Sequence, residues 1–460
     1  MNTLGFATVN PSTGEQIETF SFYDASRTEE VLVRADRSFQ SFRKLSVHKR
    51  AQMLSKLAET LRKNKPRLAK AITIEMGKIA SEAADEIEKC AREADWYAEH
   101  GPRMLADEPA PTGAINAYVS YLPLGPILAV MPWNFPIWQL TRMAIPTMLA
   151  GNVVLVKHSK NTQRCSLEFE RVMLDAGFPP GVFQNLILDR DDVVKVINDP
   201  RVQGASVTGS VRAGSAVASE AGKVIKKTVM ELGGSDAFIV CEDADIPRAV
   251  EAGIRGRFHN AGQVCLAAKR FILLEKIADE FERRFVEAAR SLRVGNPFDP
   301  ATQMGPMARA DLRDSLHKQV EGSVAQGARV LCGGKPVPGK GAFYPATVLS
   351  GVTPGMPAFD EETFGPVAAI IRVRDVDAAV EAANASQFGL SGNLWTKDVE
   401  LARGIARDLY TGGVFINGVT ASDPRVPVGG VKNSGYGREL SHFGLHAFVN
   451  AQTVWIESQE

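Results

Sequence analysis

Four short segments carry residue types that could do chemistry together. Met131-Pro132-Trp133-Asn134-Phe135-Pro136 holds a side-chain amide between aromatic rings. Glu231-Leu232-Gly233-Gly234 sets a carboxylate against two glycines. Asn260-Ala261-Gly262-Gln263-Val264-Cys265 ends on a thiol, and Glu361-Glu362-Thr363-Phe364-Gly365-Pro366 adds an acidic pair and a ring. A thiolate attacks carbonyl carbon readily and later leaves from a thioester. A carboxylate can take a proton from water, and an amide N–H can stabilise an oxyanion. Taken singly, each segment has a plainer explanation. A lone cysteine is usually a small buried hydrophobe, a Glu before Gly-Gly a turn carboxylate, and an Asn in a loop a partner for its own backbone. Their weight lies in the combination.

The elements that must position these residues show as a change of pattern near Ile115. In the first hundred residues apolar side chains recur at three- and four-residue steps: Met53, Leu54, Leu57, Ala58 and Leu61, then Ile72, Met76 and Ile79. That spacing predicts helices across most of the region. Arg62, Lys63, Lys65 and Arg67 read as the solvated end of one of them. Beyond Ile115, strand-like runs alternate with helical stretches: Ile127–Val130, Val153–Val156, Leu186–Leu188, Ala205–Val207, Ala237–Cys241 and Phe271–Leu274. This rhythm predicts an α/β fold with right-handed crossovers and a parallel sheet covered on both faces. Ligands in such sheets bind beyond the carboxyl ends of the strands, so chemistry is expected just after each one. Ala114–Leu122 and Val449–Ile456 have no place in that pattern. Edge strands of this kind pair with each other or with another chain.

At 460 residues the chain is too long for one ordinary core, which predicts two or three domains. Hydrophobic residues make up 45% and charged residues 23%, with a formal net charge of +0. That balance removes any long-range pull toward nucleic acid or an anionic membrane. Met1 to Glu15 is polar and does not read as a secretory signal. The apolar run from Tyr121 to Trp138 is broken by Pro123, Pro126, Pro132 and Pro136, so no membrane span is expected there. Cys90, Cys165, Cys241, Cys265 and Cys332 are scattered, lack CxxC spacing and have no nearby histidine. Free thiols in a reducing cytoplasm, with no metal, are expected.

In this order and at these separations, the four segments resemble the aldehyde dehydrogenase superfamily. The likeness runs from Asn10-Pro11 to Phe415-Ile416-Asn417-Gly418 and on through Pro427 to Arg438. It implies a cofactor-binding domain from 1-105 and 125-232, a Rossmann-like parallel sheet. A catalytic domain over 233-429 and an oligomerisation element from 106-124 and 448-460 complete it, with 430-447 returning toward the cofactor domain. It also implies a homodimer or homotetramer. Cys265 would attack an aldehyde, lose a hydride from the tetrahedral adduct to NAD(P), and become a thioester. The amide of Asn134 and the backbone N–H of Cys265 would hold the oxyanion, and Glu231 would activate the hydrolytic water. Relatives that pass the acyl group to coenzyme A do not use a base at the position of Glu231, so its presence implies release of a free acid.

The resemblance also assigns the cofactor contacts. No G-x-G-x-x-G is present. Instead Thr208-Gly209-Ser210 leads through Val211 to Ala213 and Gly214, the expected start of a helix, which would hold the pyrophosphate. Lys157 would contact the adenosine ribose, Glu362 the nicotinamide ribose, and Phe364 the nicotinamide ring, with Pro132 and Trp133 beside it. NAD-preferring relatives commonly place Glu where Lys160 stands. Lys160 and Ser159 could instead bind a 2′-phosphate, so NADP is the expected preference over NAD. Within the superfamily the chain most resembles the branch acting on succinate semialdehyde. Arg142, one to two helical turns past Asn134, could pair with the substrate carboxylate, and Ser422 matches a serine that binds it in relatives. Two positions depart from the pattern. His259 stands where some relatives have a second Arg, and Ala267 where some have a second Cys, so Cys265 has no disulfide partner in reach. Another short acidic or general aldehyde, acyl transfer to coenzyme A, and a non-catalytic binding relative remain alternatives.

Overall fold

The computed structural model describes residues 5–114 and 116–457. Of the expected domain spans, 1–4, 115 and 458–460 lie outside the described residues. The chain opens with a hairpin, Gly5–Val9 against Gln16–Ser21, that the helical spacing did not announce. Helices Ala25–Phe42, Val47–Met76 and Ala80–Met104 follow. Asp24 and Ser46 start the first two by accepting the N–H groups of Arg27 and Lys49 at 2.8 and 3.2 Å. The basic cluster at Arg62 to Arg67 is not a helix end. It sits midway along Val47–Met76, because the buried stripe of Leu54, Leu57 and Leu61 continues through Leu68, Ile72 and Met76. Its outward face lets Arg62 bridge Glu88 and Asp95 of the next helix.

Two large sheets carry the rest. The first has the order Gly435–Tyr436, Lys227–Glu231, Gly204–Thr208, Pro126–Met131, Val153–His158, Phe183–Asn185, parallel except for its first strand. The expected strand at Leu186–Leu188 is displaced. Its buried residues leave the sheet just after Phe183–Asn185, a case in which a short apolar run has no period to reveal its conformation. The strand Lys227–Glu231 went unanticipated, since it enters on Lys and Thr rather than an apolar run.

The second sheet runs Arg329–Cys332, Thr347–Ser350, Val367–Val373, Ala268–Leu274, Asp236–Val240, Gly392–Trp395, Val414–Ile416, again parallel but for its first strand. Both of its faces are covered. Ala237 and Ile239 pack with Ile272 and Leu349 on one side, while Phe238 and Val240 pack with Phe271 and Phe285 on the other. Such double burial is what parallel strands require.

Val449–Ile456 pairs antiparallel along its whole length with Asn116–Pro123, and Glu108–Pro109 adds a short third strand. Of the two outcomes expected for these strands, the chain adopts pairing with itself. The two large sheets then present different ends to the site. The first offers carboxyl ends: Asn134 follows Pro126–Met131, Gly209 follows Gly204–Thr208, and Glu231 ends its own strand. The second offers amino ends, since Cys265 and Glu362 to Phe364 precede Ala268–Leu274 and Val367–Val373. The expectation that chemistry lies after each strand therefore holds for only one sheet.

Candidate active site

The loop bearing Cys265 is shaped by three left-handed residues in succession: Asn260, Ala261 and Gly262, with φ of 53°, 52° and 72°. Non-glycine residues rarely adopt this conformation, so strong local bonding must hold it. Gln263 supplies part of it, donating from Nε2 to the Asn260 carbonyl at 3.0 Å and accepting the Ala308 N–H at 2.8 Å. The buried Lys269 ammonium donates to the carbonyls of Val264 and Cys265 at 3.1 and 2.8 Å and pairs with Glu362 at 3.2 Å. Arg257, fully buried, donates to the carbonyls of Gly262, Thr363 and Gly365, and so ties this loop to the one carrying Phe364. A Cβ on Gly262 would run into the Gly365 carbonyl. Cys265 is half-buried, while the other four cysteines are buried. Burial pushes its thiol up to about 11, against the pull of Arg142 and Lys269, with Glu231 and Glu362 adding to the rise.

Asn134 is locked against the same loop. Its Nδ2 donates to the Gln263 carbonyl at 3.0 Å, and its own carbonyl accepts from Asn260 Nδ2 at 2.8 Å. An amide nitrogen carries two N–H groups, so one is left for a ligand. The helix Trp138–Leu149 begins just beyond, its approach fixed by Glu86, which accepts the N–H groups of Ile137 and Trp138 at 2.9 and 3.0 Å. A carboxylate there suits the positive end of the helix, and Lys78 neutralises its other oxygen.

Glu231 is 2% exposed, and its Oε1 has no hydrogen-bond partner among the described residues. Its Oε2 lies 3.7 Å from Arg142 Nη2. Gly429, at φ 155°, allows the approach, since a Cβ there would stand 2.7 Å from Oε1. Burial raises the Glu231 pKa well above the ordinary carboxylate range; Arg142 opposes the rise and Glu439 adds to it. A buried carboxylate with no hydrogen bond, within electrostatic reach of a thiol, is a candidate proton acceptor.

The two expected substrate contacts each have partners within the chain. Arg142 is 1% exposed and is enclosed by carboxylates instead of presenting a free guanidinium. Its Nε donates to Glu439, which also accepts from Ser206 Oγ at 3.3 Å, and Nη2 faces Glu231 and Thr208. The cause is Glu439, delivered by the segment returning after Gly435–Tyr436. Ser422 is 9% exposed, and its Oγ accepts from Lys89 Nζ at 2.6 Å. His259 is held 2.9 Å from Glu82 and stacks on Phe135.

On the cofactor side, Glu362 accepts the Gly234 N–H at 3.0 Å as well as Lys269. Gly233 makes room for it, since a Cβ there would strike the carboxylate. Trp133 meets Phe364 edge-on, centroids 5.6 Å apart, with Pro132 half-buried before it. The helix Val211–Lys223 starts three residues before Gly214, where the sequence placed it, because Ser210 caps it by accepting the Ala213 N–H at 3.3 Å. Gly209 donates to the Glu231 carbonyl at 3.0 Å, and a Cβ on Gly209 would meet nothing closer than 4.0 Å. Open space before a helix N-terminus suits a pyrophosphate. Lys157 is half-buried, its pKa lowered by burial and then by Lys160 and Arg190. Lys160 pairs with Asp189 at 3.0 Å on the surface, and Ser159 donates to Asn161 at 2.7 Å. These residues fit a dinucleotide laid from Lys157 past Gly209 to Glu362.

Sequence reasoning missed Glu439, Lys269, Arg257 and Lys89. Lys269 had a faint signal, four residues past the thiol; the others had none.

The match to the aldehyde dehydrogenase family model covers residues 2–454. The NAD(P)+ succinate semialdehyde dehydrogenase Sad of Escherichia coli (strain K12) is 52% identical over 97% of both chains. An NADP(+) succinate-semialdehyde dehydrogenase of Mycobacterium avium (strain 104) is 46% identical over 99% of this chain and 98% of its own. Among solved structures, Gox0499 aligns with a TM-score of 0.97 at 40% identity, over 98% of this chain and 100% of its own. Succinic semialdehyde dehydrogenase from Streptococcus pyogenes, in complex with NADP+, aligns at 0.96 and 37% with the same coverage. A thiol, an amide and a buried carboxylate gathered between two parallel sheets thus coincide with a likeness spanning the whole chain, and the chain belongs to the aldehyde dehydrogenase family.

Proposed function

We propose that this protein oxidises succinate semialdehyde to succinate, with NADP+ preferred over NAD+, through a thioester on Cys265. The observation that carries the reading is the buried Glu231 with one oxygen unpartnered beside a half-buried thiol. The substrate is supported by the relatives' names and full-length identities.

The residues divide the work as follows. Cys265 gives up its thiol proton to solvent water, Arg142 and Lys269 partly offsetting the burial that raises its pKa, and its sulfur forms the C–S bond to the aldehyde carbon. The Asn134 amide and the Cys265 N–H stabilise the oxyanion so produced. The chemistry supplied by the dinucleotide, when bound, is acceptance of a hydride from that carbon. Lys157, Ser159, Lys160, Gly209, Ser210 and Glu362 would hold it, with Pro132, Trp133 and Phe364 as further contacts. Glu231 then takes a proton from water as the water oxygen attacks the thioester, and the C–S bond breaks to return the thiolate and release the acid.

NADP+ is favoured because Lys157, Lys160 and Arg190 gather cations, and the only ion pair of Lys160 among the described residues is an exposed, easily exchanged one. The sheets suggest a cofactor domain ending near Glu231, a catalytic domain beyond it, and an oligomerisation element in the three-stranded sheet. The exposed Trp455 and Ile456 there fit a homodimer or homotetramer in the cytoplasm.

The test is product analysis. Mixing enzyme, NADP+ and succinate semialdehyde should give a burst of NADPH and free succinate, unchanged by added coenzyme A. Cys265→Ser should abolish the burst. An acyl-coenzyme A product, or a burst that survives the substitution, overturns the reading.

A further inference from the structure

Lys89 lies on the helix Ala80–Met104, and none of the surrounding chemistry so far accounts for it. Its ammonium touches two neutral groups: Ser422 Oγ at 2.6 Å and the face of Trp138 at 4.0 Å. Of the carboxylates near it, two are otherwise engaged. Glu86 is taken by Lys78 and by the N–H groups of Ile137 and Trp138. Asp423 is gripped by both ends of the Arg425 guanidinium. Glu93 is completely buried, both its oxygens are unpartnered, and burial raises its pKa to about 8, so it is largely neutral at pH 7. Lys89 is itself pulled down to about 8, by burial first and then by Arg142, and stays mostly charged at neutral pH.

An ammonium whose direct contacts are only a hydroxyl and a ring face has capacity left for a ligand's negative charge. Its place suggests which ligand. Trp138 opens the helix that follows Asn134, Arg142 lies one turn further along it, and both Lys89 and Cys265 are within electrostatic reach of Arg142. Arg142 is itself held by Glu439 and faces Glu231, and His259 is held by Glu82.

We infer that Lys89, together with the Ser422 hydroxyl, receives the terminal carboxylate of the aldehyde substrate and thereby sets the preference for acidic aldehydes. The inference rests on the acidic-substrate reading above.

The experiment compares kcat/KM for succinate semialdehyde with that for butanal, a neutral aldehyde of equal carbon count. Removing one charge-assisted contact should cost about tenfold or more. In Lys89→Met that loss should fall on the acid substrate, mainly through KM, with butanal within about twofold of the parent. Lys89→Arg should keep most of the preference, and Lys89→Gln serves if the methionine variant does not fold. A parallel loss on both aldehydes, or an unchanged ratio, overturns the role of Lys89. A parent enzyme that does not prefer the acid overturns the substrate reading itself, and the inference with it.

Discussion

Glu362 and Glu231 both lie within electrostatic reach of Cys265, yet the chain holds them in opposite ways. Glu362 enters on a loop before a strand of the second sheet, and its Oε1 is bound by the Gly234 N–H and the Lys269 ammonium. Glu231 ends a strand of the first sheet, with one oxygen bare and the other 3.7 Å from a guanidinium that Glu439 already claims. A carboxylate anchored by two donors is a fixture. One that is buried with no hydrogen bond keeps its proton affinity high and is available to react.

The contrast can be broken most sharply at Glu231. Glu231→Gln should leave the NADPH burst intact and lower steady-state turnover by about 10²–10⁴-fold, the usual contribution of a positioned base. Rapid-mixing kinetics read both phases, and loss of the burst alongside turnover would refute the separation. The same residue sets a pH response. Its carboxylate form does the work and its pKa is raised, by burial first, so turnover limited by hydrolysis should climb as pH rises above the usual carboxylate range. A limb near the ordinary value of 4.5 would remove Glu231 from the step.

Lys269→Met probes the fixture side. It frees Glu362 and two loop carbonyls at once, and misplacing reacting groups should lower kcat roughly tenfold to a hundredfold. Here, unlike Glu231→Gln, burst rate and turnover should fall together. The smallest effect is expected at the surface. Lys160→Ala should raise KM for NADP+ by about tenfold and leave that for NAD+ nearly unchanged. Equal effects on both would place the 2′-phosphate elsewhere.

The centre of the first sheet and the strands Asp236–Val240 and Ala268–Leu274 of the second were legible as short apolar runs bounded by turns, while the other strands of the second sheet, Val367–Val373 among them, were not read from the sequence. Cys265, Glu231 and Asn134 were legible as members of a set, and the structure gathers the segments that carry them. The partners of Arg142 were not. Glu439 lies 297 positions away and Ser422 lies 333 from Lys89, and a side-chain meeting across such separations leaves no local pattern. Reach along a helix suggested that Arg142 could face a substrate, but nothing in the sequence weighed what else would compete for it. The opening hairpin escaped for a related reason, since Gly5–Val9 and Gln16–Ser21 bury little apolar surface to set a period.

Arg257 has a consequence for how such a protein can change over time. One guanidinium bonds the carbonyls of Gly262, Thr363 and Gly365, so the loop with the thiol and the loop with the Phe364 ring are tied together there, as they are again at Lys269. A substitution that shifts either backbone disturbs the other, and most first steps toward a reshaped cofactor pocket would be penalised at the nucleophile. Novelty should therefore accumulate elsewhere, in places such as the surface around Lys160 and the helix carrying Lys89, where one side chain can be exchanged without moving a loop.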